Sequence, residues 1–473
     1  MINTFFMIID ISILAVLLGL LIFFLVKNKK NLSKDGVLYL YKTSWGLKLI
    51  DKIGNKYKKT LGVLSYISVF TGYVLMALIL YLLGSQTFQY LTNPVIVELI
   101  KAPPIAPLIP YFPQIFGFGD LFPPFYAVYF IISILIVATI HEFSHGVFAK
   151  RWGVKIKSTG FAFFKFFPAF FGAFVEQDDK QLTKKSKFKQ MSILSAGVFA
   201  NILTAILFLI LLGLFFSAAF VPAGVAFSGY SYSIVPTNSI TMINNISLSN
   251  PGAEDILLLI KNDSLNEINV GEIMYVGIKG FSSNKSFVGL YDNAPAINFK
   301  LDAIILEING EKITNTQIFR DELLKYSPGE KITIKTKGDE VREDEIILGK
   351  NPTNESLPFL GVLMTADQNS NGLGKRISTL LFFKNSNIYY ESRIGAAGEF
   401  IYYLLWWVFL INILVGLFNM LPLGILDGGR FFYLTVWGIA KNEKIAKKIQ
   451  GIMAYLIFFI FLVLMVRWAI SLF

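Results

Sequence analysis

The chain has 473 residues, more than half of them apolar and 45 of them phenylalanine, and several of its Leu/Ile/Phe runs reach the length of a bilayer crossing. Its net charge of +11 falls in basic clusters between hydrophobic runs, which is the signature of membrane topology and not of nucleic-acid binding. With no cysteine, disulfides are excluded and any metal ligands must be His, Asp or Glu.

The first expected span is Phe5 to Val26. It has no basic stretch before it, is too long for a signal peptide, and is followed by no small-residue cleavage site. Lys27, Lys29, Lys30 and Lys34 after it should stay cytoplasmic, which leaves the N-terminus outside. Asp10 lies near the outer end, is expected to reach the interface, and is assigned no function. A second span, Leu61 to Leu83, follows Lys52, Lys56, Lys58 and Lys59. Between Gly84 and Phe125 the prolines, among them Pro103, Pro104, Pro107, Pro110, Pro113, Pro123 and Pro124, forbid a continuous helix. That segment is expected on the outer face or partway into the membrane.

The third span, 126–148, ends at Lys150 and Arg151 and contains both histidines of the chain, in His141-Glu142-Phe143-Ser144-His145. Residues four apart share a helical face, so both imidazoles can reach one metal ion. Glu142 is then placed to take a proton from a water on that ion. The pattern sits in the last third of the span, roughly 10–15 Å above its basic end.

Thr159 to Val175 is apolar and aromatic but holds Lys165, Pro168 and Gly172, with lysines on both flanks. Both flanks should be cytoplasmic, so the segment cannot cross; a re-entrant β-hairpin is expected, with a hydrophobic surface loop as the alternative. The fourth span is Met191 to Phe216, with Gly197 and Asn201 one turn apart. A long polar region, 218–392, follows on the expected outer side. Within it, 286–365 reads as a small β-rich domain: Ala303–Gly310 as strand and turn, Gln317–Tyr326 as a short helix, and Lys331–Lys337 as a strand. Met242–Leu258 weakly echoes Glu307–Leu324, which raises the question of a degenerate second copy. The fifth stretch, Phe400 to Phe418, runs into Asn419-Met420-Leu421-Pro422-Leu423-Gly424-Ile425-Leu426-Asp427-Gly428-Gly429, and a last span lies at about Ile449 to Val466. Six crossings with both termini outside satisfy every charge cluster and bring His141 and Asp427 to the same side.

Two histidines leave a catalytic zinc one protein ligand short, with a further position for water. Asp427, a carboxylate in an apolar setting after a proline break, is the best candidate for the third.

These residues together carry a resemblance. HEFSH in one span paired with NMLPLGILDGG in a later one resembles the site-2 protease family of intramembrane zinc metalloproteases. Gly160–Val175 is similar to that family's re-entrant hairpin, the Gly197/Asn201 span to its Gly–Asn helix, and 286–365 to an inserted PDZ domain. The resemblance covers roughly 126–217, 286–365 and 398–430. It implies a polytopic α-helical membrane protein of about six transmembrane helices, with a re-entrant β-hairpin and an extracytoplasmic PDZ-like α+β domain. The implied division is 1–125 (N-terminal pair and Pro-rich segment), 126–217 (first part of the catalytic core), 218–392 (outer region) and 393–473 (second part of the core). Residue by residue, it implies a Zn2+ cofactor held by His141, His145 and Asp427, with Glu142 as general base and then acid to the leaving amine. Asn419 and Asn201 would contact substrate. The implied activity is regulated intramembrane proteolysis of transmembrane or membrane-tethered proteins in the cell membrane, with the lipid bilayer as the other partner and no nucleic acid. Three other readings are a prenyl-protein type of membrane protease, which needs a Glu ligand where this chain has Asp427; a non-catalytic scaffold or holdase, which Glu142 speaks against; and a metal transporter, which two histidines do not supply.

Overall fold

A computed structural model describes residues 4–93, 104–118, 122–165, 171–261, 265–281, 286–364 and 384–470. The hairpin tip at Pro168, Pro103 in the Pro-rich segment, and the end of the expected 286–365 domain at residue 365 lie outside these residues. The chain divides into two units, 1–215 with 399–473 and 216–398.

The first unit is helical: α1 (Thr4–Lys27), α2 (Leu47–Lys56), α3 (Lys58–Thr92), α4 (Ala127–Arg151), α5 (Lys187–Ala219), α6 (Ala396–Asn419), α7 (Asp427–Ala440) and α8 (Glu443–Ile470). Six of these, all but α2 and α7, are long and apolar enough to cross a membrane, so this is a multi-pass membrane protein. Their mean burial is low and large side chains such as Phe70, Leu214 and Phe459 face outward, as expected of helices whose solvent is lipid. α2 was read from sequence only as a basic stretch. It is amphipathic, burying Ile50 while Asp51 pairs with Lys150 of α4 at 2.7 Å.

Within the segment expected as a hairpin, β3 (Ile156–Phe164) and β4 (Phe171–Gln177) pair antiparallel. They belong to a four-stranded antiparallel sheet, because β1 (Leu32–Asp35) and β2 (Leu38–Thr43) pair onto them in the order β1-β2-β3-β4. Lys42 meets Glu176 across this sheet at 2.8 Å. β4 is an edge strand.

The second unit holds two six-stranded assemblies. One is β6-β11-β10-β9-β7-β8, built of Tyr232–Pro236, Phe287–Asp292, Ile273–Phe281, Glu267–Val270, Met242–Ile243 and Ile246–Ser247. The other is β15-β14-β12-β5-β16, built of Val341–Ile347, Lys331–Lys337, Ile304–Ile308, Phe220–Ala226 and Ile388–Ser392, with β13 (Glu311–Lys312) on β12. The domain expected at 286–365 therefore draws strands from beyond those bounds, and its core joins Val225 and Phe227 to Ile305, Phe319 and Ile334. The sequence echo is structural. Met242–Ser247 and Ile304–Lys312 are both hairpins through left-handed pairs, Asn244-Asn245 and Asn309-Gly310. Each is followed by a helix (Ala253–Leu259, Thr316–Leu323) and then a strand that pairs back on the first, β9 on β7 and β14 on β12. The unit begins and ends on paired strands, Phe220 opposite Ser392, with the Arg393 N–H donating to the Ala219 carbonyl at 2.8 Å.

Candidate metal centre

The spacing of the two histidines places both on one face of α4, where both are buried. Asp427 is the first residue of α7. It is brought back to them by the loop Met420–Leu426, where Leu423 N–H donates to the Leu421 carbonyl at 2.7 Å and Leu426 N–H to the Leu423 carbonyl at 2.9 Å. Gly428 and Gly429 lie directly on the backbone of Met420–Leu423, where any Cβ would overlap main-chain atoms.

The three side chains converge. Nε2 of His141 lies 3.1 Å and Nε2 of His145 3.2 Å from Asp427 Oδ2, and the two ring nitrogens are 3.0 Å apart. Protons alone cannot satisfy this triangle: if both rings donate to the carboxylate, two N–H groups face each other. Three donors around one cation can. A tetrahedral zinc with bonds of about 2.0–2.1 Å separates its ligand atoms by roughly 3.3 Å.

The far side of each ring is held by α5. His145 Nδ1 lies 2.7 Å from the Ile193 carbonyl, which can only accept, so the proton sits on Nδ1 and the Nε2 lone pair points into the triangle. His141 Nδ1 lies 3.1 Å from the Asn201 amide. The nearer amide atom is Nδ2; with the amide turned over, Oδ1 accepts the Nδ1–H hydrogen bond as the Ile193 carbonyl does for the other ring. Between them is Gly197, where a Cβ would stand 2.6 Å from His141 Nε2 and 2.6 Å from His145 Nε2. Positions 193, 197 and 201 form one helical stripe, all of it spent on the two rings.

Glu142 points from the same turn toward β4, its Oε2 accepting the Val175 N–H at 3.1 Å. It borders a cavity of about 290 Å³ lined also by Ala138, Ala173, Asn419, Ile425 and Asp427. Val175 directs its N–H away from β3, so Ala173, two residues along, presents its backbone on the same free edge, at the cavity.

The structure thus gathers His141, Glu142, His145, Asn419 and Asp427. Asn201 does not fulfil the expectation of a substrate contact: it is fully buried behind His141 and is not among the residues lining the cavity. The Ile193 carbonyl and Val175 N–H were missed because any residue offers them. Gly197 was read only by its place one turn from Asn201.

Among known proteins, the chain is 25% identical over 421 residues, 88% of it and 83% of the relative, to "Uncharacterized protein MJ0971" of Methanocaldococcus jannaschii. It is 25% identical over 336 residues, 68% of it and 87% of the relative, to "Putative zinc metalloprotease CPE1693" of Clostridium perfringens. A solved PDZ domain of an SdrC-like protein from Listeria monocytogenes aligns at 20% identity over 23% of this chain and 94% of that one, with a TM-score of 0.15. The family model of Peptidase family M50 matches residues 129–464, which include the whole histidine motif and Asp427, and the chain belongs to that family.

Proposed function

We propose that this protein is a zinc-dependent endopeptidase that cuts transmembrane or membrane-tethered protein substrates within the bilayer, as in regulated intramembrane proteolysis. The observation that carries this reading is the triangle of His141, His145 and Asp427, with both rings' outer nitrogens committed to α5 and Glu142 at the adjoining cavity. Zinc held there would supply Lewis-acid activation of water and of the scissile carbonyl. Glu142 removes the water's proton and returns it to the leaving amine. Asn419 binds the substrate backbone beside the reacting carbonyl, and Asn201 positions His141. A substrate helix hides its carbonyls in its own hydrogen bonds and must be held extended, which the free edge of β4 at Ala173 suits by strand addition.

The decisive experiment is Glu142→Gln, which leaves all three ligands in place. We expect one zinc per chain and loss of cleavage of a membrane-tethered substrate. Turnover near that of the parent would remove Glu142 as the base, and an inactive parent that binds zinc would favour the scaffold reading. The lysine clusters and six spans support termini outside and an extracytoplasmic 216–398 unit. A reporter between Lys180 and Lys189 should then read cytoplasmic and one between Gly338 and Arg342 external; the opposite pattern would reverse this topology.

A further inference from the structure

Asp10, which the sequence left without a function, is buried, 5% exposed, on α1. Its Oδ2 accepts from the Ala127 N–H at 2.8 Å and the Tyr111 hydroxyl at 2.5 Å, and its Oδ1 from the Val128 N–H at 3.0 Å. Ala127 and Val128 are the first two residues of α4, whose own N-cap, Tyr126, offers no side-chain bond. A helix start leaves such N–H groups without partners, which is unfavourable in apolar surroundings. An anion from another helix fills the gap and meets the positive end of the helix. Among the described residues no lysine or arginine pairs with Asp10.

Two other elements meet at this point. Tyr111 N–H donates to the Phe125 carbonyl at 2.7 Å. Trp407 of α6, fully buried, donates to the Pro124 carbonyl at 3.0 Å and lies with its ring centroid 4.1 Å from that of Phe125. From here α4 and α6 run in the same direction: Tyr129 faces Phe400 at this end, and Ala138 and Val415 line the cavity at the other. Ala127 to His141 is roughly 21 Å along α4, and Trp407 to Asn419 roughly 18 Å along α6. Both halves of the metal centre hang from one fastening. A slip of one residue along α4 is about 1.5 Å, half the His141–Asp427 separation of 3.1 Å.

We propose that Asp10 is a positioning residue: it clamps the head of α4 and so sets the axial register of the histidine helix against α6, the helix that leads to Asn419 and Asp427. The family match, residues 129–464, contains neither Asp10 nor Tyr111. What the register serves rests on the protease reading; the register itself does not.

The test uses the full-length chain in nanodiscs. It has no cysteine, so Leu135→Cys on α4 and Leu414→Cys on α6, both outward-facing, can carry a spin-label pair without background. Asp10→Leu should shift or broaden the interspin distance by about 1.5 Å or more and speed amide exchange at Ala127 and Val128 about ten-fold or more. Asp10→Asn, which keeps one acceptor oxygen, and Tyr111→Phe should show the same changes in part if Asp10→Leu does not fold. In Asp10→Asn, kcat should fall about ten-fold and zinc affinity should weaken with it, KM being little changed. Unchanged distance and exchange in Asp10→Asn and Tyr111→Phe would overturn the clamp. A moved register with kcat intact would overturn its link to the site. If the parent holds no zinc, the protease reading fails, while distance and exchange still decide the clamp.

Discussion

Gly197→Ala adds one methyl group where the structure has none to spare. The new Cβ would stand 2.6 Å from Nε2 of both histidines and from Cε1 of His141, about 0.9 Å inside an ordinary contact of roughly 3.5 Å. Either both rings retreat, opening a triangle whose sides are 3.0–3.2 Å, or α5 backs away and loses the bonds from Ile193 and Asn201 to the rings. Overpacking of this kind costs about 1–3 kcal/mol of stability. Disturbing the partners that orient metal-bound histidines typically weakens metal binding about 10–100-fold. The assay is competition for zinc against a chromophoric chelator on the purified protein, with a thermal melt alongside. Gly84→Ala is the control: its Cβ would meet nothing within 4 Å on α3, so it should bind zinc normally and melt no lower than the parent. A Gly197→Ala protein with parental zinc affinity and turnover would refute the placement of α5 against the histidines.

Asp427→Ala removes one corner of the triangle and should lose both stoichiometric zinc and cleavage; full zinc content measured by elemental analysis would mean a different third ligand. Glu322, buried in the helix Thr316–Leu323, accepts from Lys325 Nζ at 2.6 Å and the Tyr326 hydroxyl at 3.0 Å. The lysine, with help from the tyrosine, holds its carboxyl below the usual carboxylate range. A lowered pKa contributes stability that is present above the unfolded value, about 4.3, and lost as pH falls through the folded one. Glu322→Gln should therefore make the 216–398 unit easier to proteolyse at pH 7 than in the parent, by a margin that closes below about pH 4. An equal margin at pH 3 and pH 7 would mean the ion pair is not its source.

How much of this was legible depended on whether a feature needs a particular side chain. The histidine pair with Glu142 is a local spacing that few helices carry, and Asp427 stands out as a carboxylate among apolar neighbours. The six spans follow from composition. Asp10 was visible as an odd charge, but its partners are two backbone amides and a tyrosine about a hundred residues away, which no pattern connects. The β1–β2 hairpin was hidden in the lysine-rich stretch after α1, where charge spoke for topology and drowned a short alternation (Leu38, Leu40). The hairpin at Met242–Ser247 left only its turn, because Asn244-Asn245 must adopt left-handed backbone while the strands around it are two residues long.

The paired strands at the two ends of the 216–398 unit bear on how the chain finds its native state. His141 and Asp427 must meet across an intervening stretch that includes all of 220–392. Bringing together the ends of a flexible loop that long costs about 3 kcal/mol more than closing a turn of a few residues. With Phe220 already opposite Ser392 and Arg393 bonded to Ala219, that entropy falls on the folding of the 216–398 unit, whose own core offsets it. What remains for the helices is a short closure, so α5 and α6 reach their assembly step as near neighbours and not as distant ends of a long coil.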